Sequence, residues 1–214
     1  MIWISRFINF FLRKPKKILG QKLNPSDYPL RVLRRVKYWH SFLSYDVDLS
    51  QYFERFSKVK PAPTSYKIAI VRGSGRSHDF SDVYRDTEFT LILYDGEILS
   101  GSCISRSIAC IGFDVVKPHK KRAKPIIFIR QIQGVYGKKQ ELAAFRWEKM
   151  LVQIIVDWAR VNGFSEARIQ LAEHNRYYDQ VGSRDSLRLR YNITARRSGF
   201  RLNEARNYYV LELD

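Results

Sequence analysis

The chain has 214 residues, of which 45% are hydrophobic, 14% aromatic and 28% charged. This length suffices for one domain of about 150 residues with an extension but not for two large domains, and the apolar content excludes wholesale disorder. The 38 Lys and Arg residues outnumber the 21 Asp and Glu residues, and the formal net charge of +17 predicts attraction to acidic partners.

Positive charge is concentrated in the first 40 residues, which hold ten Lys or Arg residues and a single acid, Asp27, a net charge of +9. Apolar residues at positions 3–11 recur at helical spacing and predict a short amphipathic helix that ends near Pro15. This run is shorter than the roughly 20 residues of a membrane-spanning helix, so we expect no transmembrane segment. Residues 1–17 are candidates for peripheral contact with anionic lipid, for contact with nucleic acid, or for packing on the domain.

The division of the chain follows from residues 60–64, which read Lys-Pro-Ala-Pro-Thr. Prolines disfavour helix in the residues before them, so this segment is expected to be a stiff, extended connector. A helical stretch is expected before it, between Pro29 and Leu43. We therefore predict a basic helical N-terminal extension over residues 1–60 and a folded domain over residues 65–214.

Cysteine usage indicates the compartment and the absence of a metal site. The two cysteines, Cys103 and Cys110, cannot build a disulfide framework, and the chain has no CxxC pair that would suggest structural zinc. We therefore expect a reducing, cytoplasmic location and no metal.

Beyond the connector, alternating and β-branched residues predict a mainly antiparallel sheet. The pair Asp95-Gly96 suits a two-residue type I′ turn, so we expect a hairpin there. The predicted strands cover residues 66–71, 88–94, 97–104, 108–116 and 125–130.

The longest helix is predicted over residues 140–162, with an apolar stripe for the sheet and Gly163 closing it. A strand over residues 167–171 follows, and this strand, helix, strand order is the crossover that makes neighbouring strands parallel. A helix over residues 187–198 and a strand over residues 208–213 complete the chain. The predicted fold class is α/β (α+β), a mixed, mainly antiparallel sheet with a βαβ crossover.

The turn before the longest helix is the main candidate for ligand binding. Glycines let successive backbone N–H groups point at one anion, a helix N-terminus adds partial positive charge, and lysines would neutralise a pyrophosphate. A plain turn that needs glycine is the alternative interpretation, because short glycine motifs often match by chance. The residues of this candidate anion site are Gln131, Ile132, Gln133, Gly134, Val135, Tyr136, Gly137, Lys138 and Lys139.

The order of elements from Tyr66 to Leu213 resembles the GNAT (Gcn5-related N-acetyltransferase) superfamily. In that family a Gln/Arg-x-x-Gly-x-Gly/Ala loop binds the acyl-CoA pyrophosphate. Residues 131–136 match the first Gln and the central Gly, although Tyr136 stands where a small residue is usual and Gly137 follows one position later.

Two downstream segments also resemble landmarks of the family. Residues 171–175 look like the strand that ends near an Asn, here Asn175, and residues 196–200 look like the helix that closes in Gly-Phe. The resemblance implies an N-acyltransferase that binds acetyl-CoA or another acyl-CoA at the turn and at Asn175. It implies transfer of the acyl group to an amine of an unidentified acceptor.

Candidate catalytic residues follow from the same resemblance. The tyrosine that often serves the family as general acid lies four residues before the glycine, where this chain has Ala195, so Tyr191, one helical turn earlier, is the candidate. No Asp or Glu lies on the strand before the loop, which leaves Glu173 and His174 as the nearest groups for proton transfer. A structural or surface histidine is the alternative for His174.

The same half of the chain is also similar to VirK-type bacterial proteins of poorly defined activity. This likeness favours a second hypothesis, a catalytically inactive protein that binds nucleic acid or another polyanion through its basic surface. Arginines beside exposed aromatics suit phosphates and stacked bases, whereas a solvated helix face with intramolecular pairing is the alternative. The arginines are Arg184, Arg188, Arg190, Arg196 and Arg197, with Tyr177, Tyr178 and Tyr191 nearby.

Overall fold

The computed structural model describes residues 42–45, 49–60, 66–73, 75, 83–95, 106–116, 124–180 and 182–213. The strands are β1 (Phe42–Tyr45), β2 (Tyr66–Arg72), β3 (Phe89–Asp95), β4 (Arg106–Val116), β5 (Ile126–Gly134), β6 (Glu166–Gln170), β7 (Arg201–Asn203) and β8 (Tyr208–Glu212). The helices are α1 (Ser50–Phe56), α2 (Lys139–Ala143), α3 (Trp147–Val161), α4 (Arg184–Arg188) and α5 (Thr194–Arg197).

The eight described strands form one sheet in the order β1-β2-β3-β4-β5-β6-β8-β7. Neighbours from β1 to β5 are antiparallel, whereas β5 and β6 are parallel over residues 126–129 and 166–169. A parallel pair needs a crossover, and α2 and α3 provide it. The remaining pairs, β6 with β8 and β7 with β8, are antiparallel. The predicted fold class, mixed and mainly antiparallel with a βαβ crossover, is confirmed.

The apolar stripe of α3 packs on the sheet, as its spacing predicts. Its stripe residues are buried, and the ring centroid of Trp158 lies 5.9 Å from that of Phe113 on β4. Gly163 follows the helix with a φ of 72°, the left-handed conformation that glycine adopts at helix C-termini. The stripe consists of Trp147, Leu151, Ile154, Ile155 and Trp158.

The single helix predicted over residues 140–162 is wrong, because the chain breaks it into α2 and α3. Between the two, Phe145 is buried and its ring centroid lies 5.4 Å from those of Phe53 and Tyr66. The next amide, Arg146 N–H, donates to the Phe56 carbonyl at 2.9 Å instead of to a helical carbonyl. Burial of one aromatic side chain and this long-range hydrogen bond therefore replace a helical turn.

The hairpin predicted at Asp95-Gly96 is also wrong. Both edges of β3 are taken, one by β2 and the other by β4, in which Asp95 faces Arg106. A strand over residues 97–104 therefore has no free edge of β3 to pair with. Residues 96–105 lie outside the described part of the chain.

Residues 42–45 and 49–56 belong to the sheet and its core rather than to a separate helical extension. The strand β1 pairs antiparallel with β2, and α1 buries Tyr52, Phe53 and Phe56. The helical stretch predicted between Pro29 and Leu43 is wrong at residues 42 and 43, which belong to β1, and its other residues lie outside the described part of the chain. The amphipathic helix predicted near the N-terminus, the connector residues 61–64 and Cys103 lie outside the described residues.

The helix predicted over residues 187–198 is observed as a C-terminal helix over residues 184–197. It consists of α4, a π-helical turn (Leu189–Ile193) and α5. Gly199 ends it with a φ of 87°, and β7, which the sequence does not predict, follows. Within the described residues, no helix combines the length and the apolar composition needed to cross a membrane.

Candidate functional site

The strand β5 carries a β-bulge at the point where it separates from β6. Gln131 faces Gly112 on β4, but Ile129 faces Phe113, so Arg130 is the extra residue of the bulge. The parallel pairing with β6 ends at Ile129. Backbone groups of β5 from Arg130 onward therefore need partners other than β6, because buried amides and carbonyls are rarely left unpaired.

Tyr191 supplies those partners from the C-terminal helix. Its hydroxyl accepts a hydrogen bond from the Ile132 amide at 3.1 Å and donates to the Arg130 carbonyl at 3.2 Å. The Asn175 side-chain amide donates to the same hydroxyl at 3.0 Å, and the Gln170 side-chain amide donates to the Arg130 carbonyl. The tyrosine is only 1% exposed, so this network lies inside the domain.

The π-helical turn determines how the C-terminal helix meets this network. A π turn has one more residue than an α turn, and here the adjacent residues have different partners. Tyr191 contacts β5 itself, whereas Asn192 contacts the chain after β6. The Asn192 Oδ1 atom accepts from the Ala172 amide at 3.0 Å, while its Nδ2 atom donates to the Glu173 carboxylate at 3.2 Å. The turn therefore ties the helix to both diverging strands.

The protonation of this network follows from burial and hydrogen bonding. Burial raises the pKa of Tyr191, and hydrogen bonds from Ile132, Gln170 and Asn175 oppose this effect without cancelling it. The hydroxyl therefore keeps its proton at neutral pH. For Glu173, burial raises the pKa, but a backbone hydrogen bond, Asn192 and Arg188 together lower it below the ordinary value.

Glu173 and His174, the two predicted proton-transfer residues, lie at the surface beside the network. A lowered pKa makes the Glu173 carboxylate a weaker base, and an ion pair with Arg188 at 3.5 Å further occupies it. His174 is exposed. The proton-transfer role of both residues stays a prediction.

Gln131, the first residue of the predicted loop, braces the segment before β3. Its Nε2 atom donates to the Tyr84 carbonyl at 2.5 Å and to the Gln133 Oε1 atom at 2.8 Å, and its Oε1 atom accepts from the Asp86 amide at 3.2 Å. The segment lies so close to the sheet that a Cβ on Gly112 would come within 2.3 Å of the Thr87 Oγ1 atom. Gln131 is buried and holds two parts of the domain together.

Gly134, the last residue of β5 before the turn, has a structural role. A Cβ on Gly134 would lie 2.7 Å from the Leu142 Cδ1 atom, so the glycine permits close approach of α2. Gly137 has a φ of 81°, and Tyr136 beside it is fully exposed. The turn leads into the five residues of α2 and not into the longest helix, α3. Its predicted position before the longest helix is therefore wrong, and anion binding at the turn stays a prediction.

The remaining loop residues do not share one binding partner. The Val135 amide donates to the Ile108 carbonyl at 2.9 Å, and the Lys138 Nζ atom pairs with the Glu141 carboxylate at 2.9 Å. Lys139 is exposed at the start of α2. Of the predicted site residues, the structure thus brings Ile132, Asn175 and Tyr191 into one hydrogen-bonded group.

A second group, missed by the sequence analysis, lies near Gln131. The Arg176 guanidinium pairs with the Asp86 carboxylate at 2.8 Å, and its carbon lies 4.8 Å from the Tyr84 ring centroid and 4.6 Å from that of Tyr177. Burial raises the pKa of Asp86, opposed by Arg176 and Arg130. No motif links residues 84–86 to residues 176–177, so only the folded chain reveals this group.

Several of the predicted nucleic-acid-binding arginines are engaged within the domain. Arg184 pairs with Asp179 at 2.9 Å and Arg188 with Glu173 at 3.5 Å, and both guanidinium groups lie over the Tyr178 ring. Arg196 donates to the Tyr209 hydroxyl at 3.2 Å. Arg190 and Arg197 act electrostatically on Glu148 of α3: burial raises the pKa of this carboxyl, and a backbone hydrogen bond, Arg190, Lys58 and Arg197 oppose this effect.

No protein-family model matches the chain, and no curated protein matches it. Among solved structures, the NatC complex bound to Gag peptide and CoA is 18% identical, with 58% of this chain and 71% of that chain covered and a TM-score of 0.35. A mutant AtaT toxin bound to the C-terminus of the antitoxin AtaR is 7% identical, with coverage of 70% and 94% and a TM-score of 0.40.

The KacTA-DNA complex is 9% identical, with 58% of this chain and 67% of that chain covered and a TM-score of 0.36. NatC, AtaT and KacT are GNAT-fold acetyltransferases. The fold class of this protein rests on its own strand order and crossover. No group of three or more potential metal ligands occurs in the part of the chain that the structure describes.

Proposed function

We propose that this protein is an acyl-CoA-dependent N-acyltransferase. The observation that carries the proposal is the Tyr191 hydroxyl, 3.1 Å from the Ile132 amide at the bulge where β5 leaves β6. Acyl transfer needs an N–H donor for the carbonyl oxygen and a proton donor for the departing sulfur. This chain has both kinds of donor at one point.

The residues present fit an acyl-CoA at the thioester end. A bound acyl-CoA supplies an activated thioester. The Ile132 N–H is the candidate donor to its carbonyl oxygen, and Asn175 holds the Tyr191 hydroxyl in place at 3.0 Å. The candidate binding groups for the acyl-CoA pyrophosphate are the turn at Gly137 and the exposed Lys139. A Cβ added at Gly137 would meet no atom within 4 Å.

Tyr191 has to exchange two hydrogen bonds for this role. Its hydroxyl accepts from the Ile132 N–H and donates its only hydrogen to the Arg130 carbonyl, and a typical hydrogen bond contributes about 1 kcal/mol net. Such an exchange is small compared with the binding energy of a large ligand. Because burial raises its pKa, Tyr191 stays protonated at neutral pH and remains a donor after the exchange.

Calorimetric titration with acetyl-CoA, combined with thermal unfolding, tests the proposal. Binding to the native state is expected to add about 2.7 kcal/mol to the free energy of unfolding at 100 times the dissociation constant. Tyr191→Phe is expected to keep binding but to lose thiol release in the presence of amines. Tyr209→Phe, which removes a different buried hydroxyl, is the matched control. Absence of both heat and stabilisation at millimolar acetyl-CoA would overturn the proposal.

Polyanion binding without catalysis is the second candidate, favoured by the same hydrogen bonds. Tyr191 and Gln170 already satisfy the β5 backbone that a thioester would use. Fluorescence anisotropy with a labelled single-stranded RNA 20-mer tests this candidate. Affinity is expected to fall with salt with a slope of about −0.7 per phosphate contact and to fall further in an Arg190→Ala/Arg197→Ala variant. Binding that does not respond to salt contradicts it.

A further inference from the structure

Arg176 occupies a site that has the composition of a receptor for organic cations. Its guanidinium carbon lies 4.8 Å from the ring centroid of Tyr84 and 4.6 Å from that of Tyr177. Its NH2 group is 2.8 Å from the Asp86 carboxylate and donates to the Tyr177 hydroxyl. Two aromatic faces and one carboxylate around a single cation are the groups that recognise guanidinium and alkylammonium ions.

The cation is the most exposed member of this group. The side chain of Arg176 is 51% exposed and that of Asp86 only 28%, while Tyr84 and Tyr177 are 42% and 39% exposed. Ion pairs at such an exposed position stabilise a protein little, and an arginine side chain has many rotamers in solvent. Arg176 is therefore able to leave while the rest of the group stays.

The three other residues are held independently of Arg176. The Tyr84 carbonyl accepts from the Gln131 side chain, whose Oε1 atom in turn accepts from the Asp86 amide. The Tyr177 amide donates to the Asn175 Oδ1 atom at 3.0 Å. These contacts hold the backbone of all three residues without Arg176. Removal of the arginine side chain therefore leaves the segments that carry the two rings and the carboxylate in place.

The site lies on the opposite face of β5 from Tyr191. Neighbouring strand residues point to opposite faces, and Gln131 contacts the segment of Tyr84 and Asp86 whereas Ile132 packs in the core cluster that contains Tyr191. In the chain after β6, Asn175 contacts the Tyr191 hydroxyl, while the next residue, Arg176, contacts Asp86. The cation site and Tyr191 therefore flank the diverging strands from two sides.

We infer that Tyr84, Asp86 and Tyr177 form a binding site for a guanidinium or alkylammonium group of the acyl acceptor, and that Arg176 takes the place of that group when no acceptor is bound. The assignment of the cation to an acceptor rests on the proposed acyltransferase function. The cation site itself does not. The net charge of +17 disfavours cations at long range, so the carboxylate supplies the local attraction within the screening distance of about 8 Å at physiological salt.

The test uses methylguanidinium chloride as the probe and Arg176→Ala as the variant that opens the site. Binding is followed by tyrosine NMR shifts and by thermal unfolding, with equal concentrations of sodium chloride as the reference. Arg176→Ala is expected to bind the probe at least tenfold more tightly than the wild type, because the competing side chain is gone. Arg184→Ala is the matched control, since it removes an arginine that also contacts an acid and a tyrosine.

A second variant tests whether the Asp86 carboxylate binds the probe. Asp86→Asn in the Arg176→Ala background is expected to weaken probe binding at least tenfold, because charge-assisted hydrogen bonds are lost. Equal binding by Arg176→Ala and Arg184→Ala, or binding that survives Asp86→Asn, would overturn the inference. Acetyl-CoA titration of Arg176→Ala separates the two proposals. Probe binding without acetyl-CoA binding leaves the cation site standing and removes the acyltransferase assignment.

Discussion

At the scale of single residues, the Tyr191 hydroxyl makes three hydrogen bonds in the candidate site. Tyr191→Phe keeps the ring in the core but leaves the buried Ile132 amide without its acceptor. An unsatisfied buried polar group costs about 1–3 kcal/mol, so we expect a loss of that size in the free energy of unfolding, measured by urea denaturation. Tyr136→Phe, at a fully exposed position, is expected to change the free energy of unfolding by less than about 0.5 kcal/mol.

A second prediction at this scale concerns pH and Glu148. Burial raises the pKa of this carboxyl above its ordinary value of 4.5, so the folded protein binds the proton more tightly than the unfolded chain. The resulting stabilisation is present below pH 4.5 and is lost as the pH rises through the folded pKa. A glutamine at position 148 does not ionise, so Glu148→Gln does not lose stability at this position as the pH rises.

We therefore expect Glu148→Gln to be more stable relative to the wild type at pH 7 than at pH 4, as measured by denaturation at both values. Glu204→Gln, at an exposed position outside the core, serves as the control. A stability difference that is equal at both pH values contradicts the prediction.

At the scale of elements, the contact between β5 and α2 explains Gly134 without a ligand. Gly134→Ala places a Cβ 2.7 Å from the Leu142 Cδ1 atom, and overpacking of this kind costs about 1–3 kcal/mol. Leu142→Ala in the same chain makes room, so the double variant is expected to lose less stability than the sum of the single variants. Additive losses in urea denaturation would show that the glycine serves another purpose.

The sequence predicts elements whose pattern is local and misses those that depend on distant contacts. The stripe of α3, the strand β5 and the glycines that end α3 and the C-terminal helix have signals of period or turn chemistry, and the fold class follows from their order. The break before α3 depends on Phe145 packing against Phe53 and Tyr66, which no local window contains. The false hairpin arose because a favourable turn pair says nothing about which strand edges are free.

The same distinction between local pattern and distant contact applies to the residues of the candidate site. Tyr191, Asn175 and Ile132 are identified from a resemblance, and the fold brings them together. The bulge at Arg130, the bracing role of Gln131 and the group around Arg176 depend on register and on loop packing. Sequence spacing does not carry this information.

At the scale of the whole molecule, the sheet separates two chemically different faces. The C-terminal helix and α3 cover one face over the larger apolar core, which contains Tyr191. The other face has a smaller apolar cluster that includes Val83 of the segment before β3, with the charged and aromatic group around Arg176 beside it. Tyr191 and Arg176 lie on these two faces beside the point where β5 and β6 part. This arrangement supports separate approach of acyl donor and acceptor in the proposed reaction.

The hydrogen bond between Ile132 and Tyr191 joins residues that are 59 positions apart in the chain. The deuterium uptake of this one amide therefore reports whether the last third of the polypeptide is seated on the sheet. Any compound that lodges between the parting strands has to alter that rate, which gives a direct spectroscopic readout for screening compounds before a substrate is identified.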